Sequence, residues 1–103
     1  MDSNTYLQQS KHIVAKQLAG HAVDAYLFGS RAKGTATRHS DIDIALFSKS
    51  IMPLALASHL RETFEESTIP YQVDIVDLST VSENFRKKVL QEGVLWYDSS
   101  KND

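Results

Sequence analysis

The chain contains no cysteine, which excludes a disulfide framework and a thiolate metal site. That absence fits a reducing compartment, and a cytoplasmic location is expected. No apolar run approaches the ~20 residues that a membrane span requires. The opening Met1-Asp2-Ser3-Asn4 lacks a basic segment followed by an apolar stretch, so no signal peptide is expected. Basic excess is missing as well. With 11 Lys and Arg against 13 Asp and Glu, the formal net charge is −2, which argues against a general nucleic-acid binder. There is no internal repeat and no low-complexity segment. What remains is an ordinary globular composition over 103 residues, 42% apolar and 23% charged, enough for one domain with one small core. Residues 1–98 read as that domain, and 99–103 as a frayed polar tail.

Periodicity divides the chain into alternating elements. A first helix, capped at Ser3 or Asn4, runs to about Ala19 with Leu7, Ile13, Val14 and Leu18 on its apolar side, and Gly20 stops it. Ala22 to Phe28 reads as a short buried strand. Residues 29–40 form a turn region with room for one helical turn from Ser30. Asp41 to Phe47 is the second strand. A second helix starts between Ser50 and Pro53, with Pro53 in its first turn and Leu54, Ala57, Leu60 and Phe64 as its buried face. Pro70 breaks the chain before a third strand, Tyr71 to Leu78, with Val73 and Ile75 on one face and Asp74 and Val76 on the other. Ser82 caps a last helix carrying Val81, Phe85 and Val89 at spacing four, and Gly93 ends it. Val94 to Tyr97 is either a short edge strand or an extended tail. The order α-β-β-α-β-α predicts an α/β (α+β) fold with a small mixed sheet flanked by helices.

The chemistry concentrates in Leu27-Phe28-Gly29-Ser30, ten further residues, then Asp41-Ile42-Asp43. Asp is disfavoured inside strands, so two at alternate positions need a reason. On a strand both carboxylates project the same way, while Ile42 and Ile44 face the other side. Side-by-side carboxylates repel unless a cation sits between them or one takes up a proton. Hard oxygen ligands suit Mg²⁺, usually held by one or two carboxylates plus substrate phosphates. Upstream, Gly29 lets the backbone approach an anion and Ser30 adds a hydroxyl donor. Metal ligands beside a phosphate cradle are the parts needed for chemistry on a nucleoside triphosphate. The bland reading of the acids is a solvated strand edge, and of Gly29-Ser30 a common turn.

Phe28-Gly29-Ser30-Arg31-Ala32-Lys33-Gly34, followed by Ser40-Asp41-Ile42-Asp43-Ile44-Ala45, resembles the signature of the nucleotidyltransferase superfamily of the DNA polymerase β type. It is most similar to the minimal nucleotidyltransferases, and the resemblance covers nearly the whole chain. It implies Asp41, Asp43 and Asp74 as catalytic metal ligands. Asp74 would complete the site from the next strand and help to deprotonate the attacking hydroxyl. The opposite parity of Asp77 counts against it for that role. The resemblance implies two Mg²⁺ ions with substrate bound, about 4 Å apart, on the attacking and leaving oxygens. Gly29 and Ser30 would take the β- and γ-phosphates. The triphosphate needs countercharge from the loop, where Arg31 and Arg38, able to grip phosphate bidentately, are favoured over Lys33.

The implied reaction is transfer of AMP from ATP to a hydroxyl. Such proteins are typically encoded beside a helical HEPN-domain ribonuclease toxin. The implied acceptor is a tyrosine of that toxin, in a hetero-oligomer, which would make this chain the antitoxin, with no direct nucleic-acid contact and no membrane. One alternative is neutralisation by non-covalent binding without catalysis. Another is a small-molecule transferase acting on an antibiotic, disfavoured because no second domain is visible. Trp96 and Tyr97 could stack on a base, form a partner surface or close the core. His39 sits beside the acids, whereas His12, His21 and His59 show no metal-ligand spacing. Base choice, acceptor and oligomeric state are not encoded in any motif.

Overall fold

The computed structural model describes residues 3–37 and 39–101. The elements are α1 (Ser3–Leu18), β1 (Val23–Phe28), α2 (Ser30–Lys33), β2 (Ile42–Ser48), α3 (Leu56–Glu65), β3 (Val73–Asp77), α4 (Glu83–Glu92) and β4 (Val94–Tyr97), with a closing 3₁₀ turn, Ser99–Lys101. The four strands form one mixed sheet in the order β3-β2-β1-β4. β1 pairs antiparallel with both β2 and β4, while β2 and β3 run parallel. The helical turn after Ser30 forms, and Val94 to Tyr97 is an edge strand. No helix among the described residues is long and apolar enough to cross a membrane.

Strand alternation assigns the two faces. Val23, Ala25 and Leu27 of β1, Ile42, Ile44 and Leu46 of β2, and Ile75 of β3 meet Val14 and Leu18 of α1 and Leu56, Leu60 and Phe64 of α3 in the main core. The opposite face carries a smaller cluster, in which Ala45 and Leu78 pack against Val89 of α4, with Tyr26, Phe28 and Val76 around them. Two helices cover the first face and one covers the second. The residues of β2 and β3 with the parity of Ala45 and Val76 are Asp43 and Asp74, so both stand on the thinly covered face.

Ser82 caps α4, its hydroxyl accepting from Phe85 N–H at 3.2 Å. Gly93 then turns the chain straight into β4. A Cβ there would lie 2.6 Å from Val89 O and 3.1 Å from Leu27 O, so only glycine fits the corner. Trp96 and Tyr97 pack on the main core, which favours the structural reading of both.

Two expectations are corrected. The second helix does not start at Ser50–Pro53 but at Leu56, because Ala55 before it adopts a left-handed backbone (φ 65°). That twist breaks the helical frame, so Leu56, Leu60 and Phe64 form the buried stripe and Leu54 is 99% exposed. Nor is the described part of the tail frayed. The Ser99 N–H and hydroxyl both donate to Oδ1 of buried Asp24 at 2.8 Å. Lys49 Nζ lies 3.7 Å from Asp24 and 3.9 Å from Asp98. A buried carboxylate needs such partners, and the tail supplies them.

Leu60 is fully buried, so Leu60→Ala should cost about 2–5 kcal/mol in urea unfolding. Leu54→Ala should stay within about 0.5 kcal/mol. Similar losses for the two variants would contradict this packing.

Candidate functional site

The site forms where β1 ends and where β2 and β3 begin. Register sets it directly: Phe28 pairs with Asp43 across the antiparallel ladder, and Asp43 pairs with Asp74 across the parallel one. The two carboxyls are therefore neighbours on one face, close enough to share a hydrogen bond when one of them is protonated. Gln72 Nε2 donates to Asp74 Oδ1 at 3.4 Å. Burial, then the charges of Asp74 and Asp41, then the hydrogen bond to Asp74 hold the Asp43 carboxyl above the usual carboxylate range, while Arg31 pulls the other way.

The turn after β1 presses against this pair. Gly29 has φ 74° and ψ −156°, a backbone region essentially reserved for glycine. A Cβ there would lie 2.3 Å from Asp43 Oδ2. The cradle thus brings bare backbone against the carboxylate, with Ser30 opening α2 beside it. Gly34, also left-handed, closes α2 after one turn.

Asp41 stands apart from the expected strand position. β2 begins at Ile42, whose N–H donates to Gln72 O at 2.9 Å, and that bond opens the parallel ladder one residue later than expected. Asp41 is exposed in the preceding loop, close enough for its charge to act on Asp43. Among the described residues, no three His, Cys, Asp or Glu side chains converge into a ready metal cage. The donor set nonetheless suits Mg²⁺, which takes one or two carboxylates and completes its shell with phosphates and water. A half-buried, mutually repelling pair beside a glycine cradle is short of positive charge.

The loop cations divide. Arg31 is committed to the backbone: its Nη2 donates to Ser40 O at 2.7 Å, and its Nε lies 3.2 Å from Ser40 O and 3.3 Å from Asp41 O. Lys33 lines a cavity of about 240 Å³ with Gly29 and Lys88. Arg38 lies outside the described residues. Asp77 accepts from the Ser79 N–H and hydroxyl at 2.9 and 2.7 Å, closing the turn after β3. His39 is exposed.

Sequence reasoning missed the other walls. A cleft of about 780 Å³ opens on Asp43 and Asp74 and wraps around the edge of β3, reaching Arg61, Tyr71, Phe28 and Phe85. Phe28 and Phe85 meet edge to face with centroids 5.8 Å apart. Arg61 Nη2 donates to Ile75 O at 2.9 Å. The Leu78 N–H bond to Leu46 O and the Gln72 O bond place the even-numbered backbone groups of β3 toward β2. The odd-numbered ones therefore face outward, and Arg61 covers one of them. No sequence motif announces an arginine whose partner is a backbone carbonyl.

Comparison with known proteins matches residues 8–102 to the family described as polymerase beta, nucleotidyltransferase. The chain is 37% identical over 76 residues to the "Probable protein adenylyltransferase MntA" of Haemophilus influenzae, covering 74% of this chain and 67% of that relative. It is 32% identical over 78 residues to the protein adenylyltransferase MntA of Shewanella oneidensis, covering 76% of this chain and 55% of that one. A solved toxin–antitoxin structure with AMP-PNP superposes with a TM-score of 0.67 at 28% identity, over 85% of this chain and 73% of that chain.

Asp43 and Gly29 touch, yet their variants should shift stability in opposite directions. The folded chain holds the Asp43 proton more tightly than the unfolded one. The stability that this proton supplies is therefore lost as pH rises from the ordinary Asp value through the raised folded one. Asp43→Asn should raise the Tm at pH 7 without divalent cation. The gain should vanish near ~pH 3, below the ordinary Asp value. Gly29→Ala should lower the Tm, since its backbone conformation alone costs a side-chain-bearing residue about 1–3 kcal/mol. Thermal melts across pH check both, and a lower Tm for Asp43→Asn at pH 7 would contradict the electrostatics.

Proposed function

The chain belongs to the polymerase beta nucleotidyltransferase family, and from that premise we propose that it transfers AMP from ATP to a tyrosine hydroxyl of a HEPN-domain ribonuclease toxin, acting as its antitoxin. The observation that carries this is the Asp43–Asp74 pair set against the Gly29 turn at the open end of a large cleft. The names of the two MntA relatives and the AMP-PNP in the similar toxin–antitoxin structure support the donor and the reaction class. A cytoplasmic setting, where ATP is available, goes with this reading.

The strand order gives the reaction a direction. Gly29 and Ser30 follow β1 and would bind the β- and γ-phosphates by backbone and hydroxyl donation, which puts pyrophosphate on the β1 side. In-line displacement then requires the acceptor to come from the opposite side, past Asp74 on β3, where the cleft lies. The tyrosine oxygen bonds to the α-phosphorus, the bond from that phosphorus to the pyrophosphate oxygen breaks, and Asp74 accepts the phenolic proton before passing it to water. Two Mg²⁺ ions held by Asp41, Asp43, Asp74 and phosphate oxygens would neutralise charge at the attacking and leaving oxygens. Phe28 and Phe85 shield the approach from water, and the cleft walls orient the acceptor, so catalysis rests on positioning and charge.

Incubation with α-labelled ATP, Mg²⁺ and the HEPN-domain protein encoded beside the gene tests this. Mass spectrometry should find AMP on a partner tyrosine. Asp41→Asn and Asp43→Asn should each cut transfer by about 10²–10³-fold, the usual loss of an electrostatic group. An active partner that is neutralised without gaining AMP would establish binding alone.

A further inference from the structure

We propose that Arg31 and Tyr71 form a positioning clamp that holds the Asp41 loop in register with Asp43 and Asp74. The inference rests on the reading of those acids as the metal-binding site. Arg31 belongs to α2, directly after the Gly29–Ser30 turn. Its guanidinium edge grips the carbonyls of Ser40 and Asp41. Its Cζ lies over the Tyr71 ring, 4.5 Å from the centroid. Tyr71 stands two residues before β3, the strand that carries Asp74, and meets Tyr6 of α1 edge to face at 5.8 Å. One side chain therefore ties together the phosphate turn, the entry to β2 and the entry to β3.

The need for it follows from where β2 starts. Asp43 is fixed by two ladders, but Asp41 precedes the strand and is exposed. Thr37 N–H donates to Ser40 Oγ at 2.9 Å, and Ser40 N–H donates to Thr37 O at 3.1 Å, so these bonds shape the loop internally. Thr35 N–H ties the near end of the loop to Ser30 O at 3.1 Å, and Arg31 ties Ser40 and Asp41, at its far end, to the same turn. A planar fork that donates along its edge while stacking on a ring is something arginine does and lysine does not. The interaction also places one positive charge beside a cluster of three negative ones without filling the cleft.

The test reads Mn²⁺ uptake by the nucleotide-free chain, followed by electron paramagnetic resonance, in Arg31→Lys, Tyr71→Leu, their double variant, Tyr71→Phe and Tyr6→Leu. Arg31→Lys and Tyr71→Leu should each weaken Mn²⁺ binding about tenfold, and the double variant no more than either, because both break one clamp. Tyr71→Phe keeps the ring and should bind as wild type. Tyr6→Leu, which removes the packing partner but not the stack, should do the same. In AMP transfer, Arg31→Lys should lower kcat with little change in KM for ATP. If Tyr71→Leu binds Mn²⁺ normally while Arg31→Lys raises KM for ATP, Arg31 is a triphosphate ligand and the clamp is overturned. If Tyr6→Leu weakens binding as much as Tyr71→Leu, general packing is responsible and the clamp is again overturned. A wild-type chain that takes up no Mn²⁺ even when a non-hydrolysable ATP analogue is added overturns the metal-site reading itself, whereas intact uptake with no AMP transfer overturns the proposed reaction and leaves the clamp standing.

Discussion

Two carboxyls held side by side, Asp43 and Asp74, are the constraint around which the rest of the structure is arranged. Parallel pairing of β2 and β3 puts them in register, so both side chains leave the sheet on one face. Their repulsion and partial burial make ionisation of Asp43 costly. The fold tolerates that cost because the opposite sheet face is packed by α1 and α3, with most of the fully buried side chains. Stability is thus concentrated on one face, and the strained chemistry is exposed on the other. Under the proposed function, a cation and a triphosphate, one supplying positive charge and the other more oxygen ligands, would relieve that repulsion together. This is a physical reason for binding to be coupled to the assembled site.

The neighbours of that pair follow from it. Gly29 is glycine because a side chain would collide with Asp43 and because its backbone is left-handed. α4 covers only part of the acidic face, and Phe85 reaches Phe28 at the border of the opening. On the far side of the sheet the edge strand β3 is partly capped by Arg61, which guards backbone groups that would otherwise invite pairing with another chain. At the remote end, Asp24 is a contrasting carboxylate. It is more deeply buried than Asp43, yet two donors from Ser99 and the nearby Lys49 satisfy it. One acid is structural because its partners are built in. The other lacks such built-in partners, which is why the proposed function assigns it to the metal.

Much of this was legible in the sequence, and the failures have physical causes. The alternation around Asp43 and around Asp74 is local, so each acid's face within its own strand could be read from spacing, whereas the meeting of the two was an expectation from the family resemblance and is set by the parallel register. Asp41 could not be placed, because the first residue of β2 is decided by Gln72, thirty residues away and supplying the carbonyl that opens the ladder. The buried face of α3 was misread at Leu54 because nothing in the sequence marks Ala55 as left-handed. The backbone carbonyls that engage Arg31 could not be foreseen, because residue type reveals charge and not hydrogen-bond partners. Arg61 was invisible for the same reason. Gly29 was legible as a close-approach position because the space it leaves is taken up by its immediate neighbour in the fold, Asp43.

The most direct test of the central claim is to locate a bound cation relative to the acidic pair. Mn²⁺ added with a non-hydrolysable ATP analogue should broaden amide resonances of Gly29, Ser30, Asp43 and Asp74 in nuclear magnetic resonance spectra, and leave Asp24, Lys49 and Ser99 at the opposite end sharp. Broadening centred elsewhere, or none at saturating analogue, would contradict a cation site built on Asp43 and Asp74.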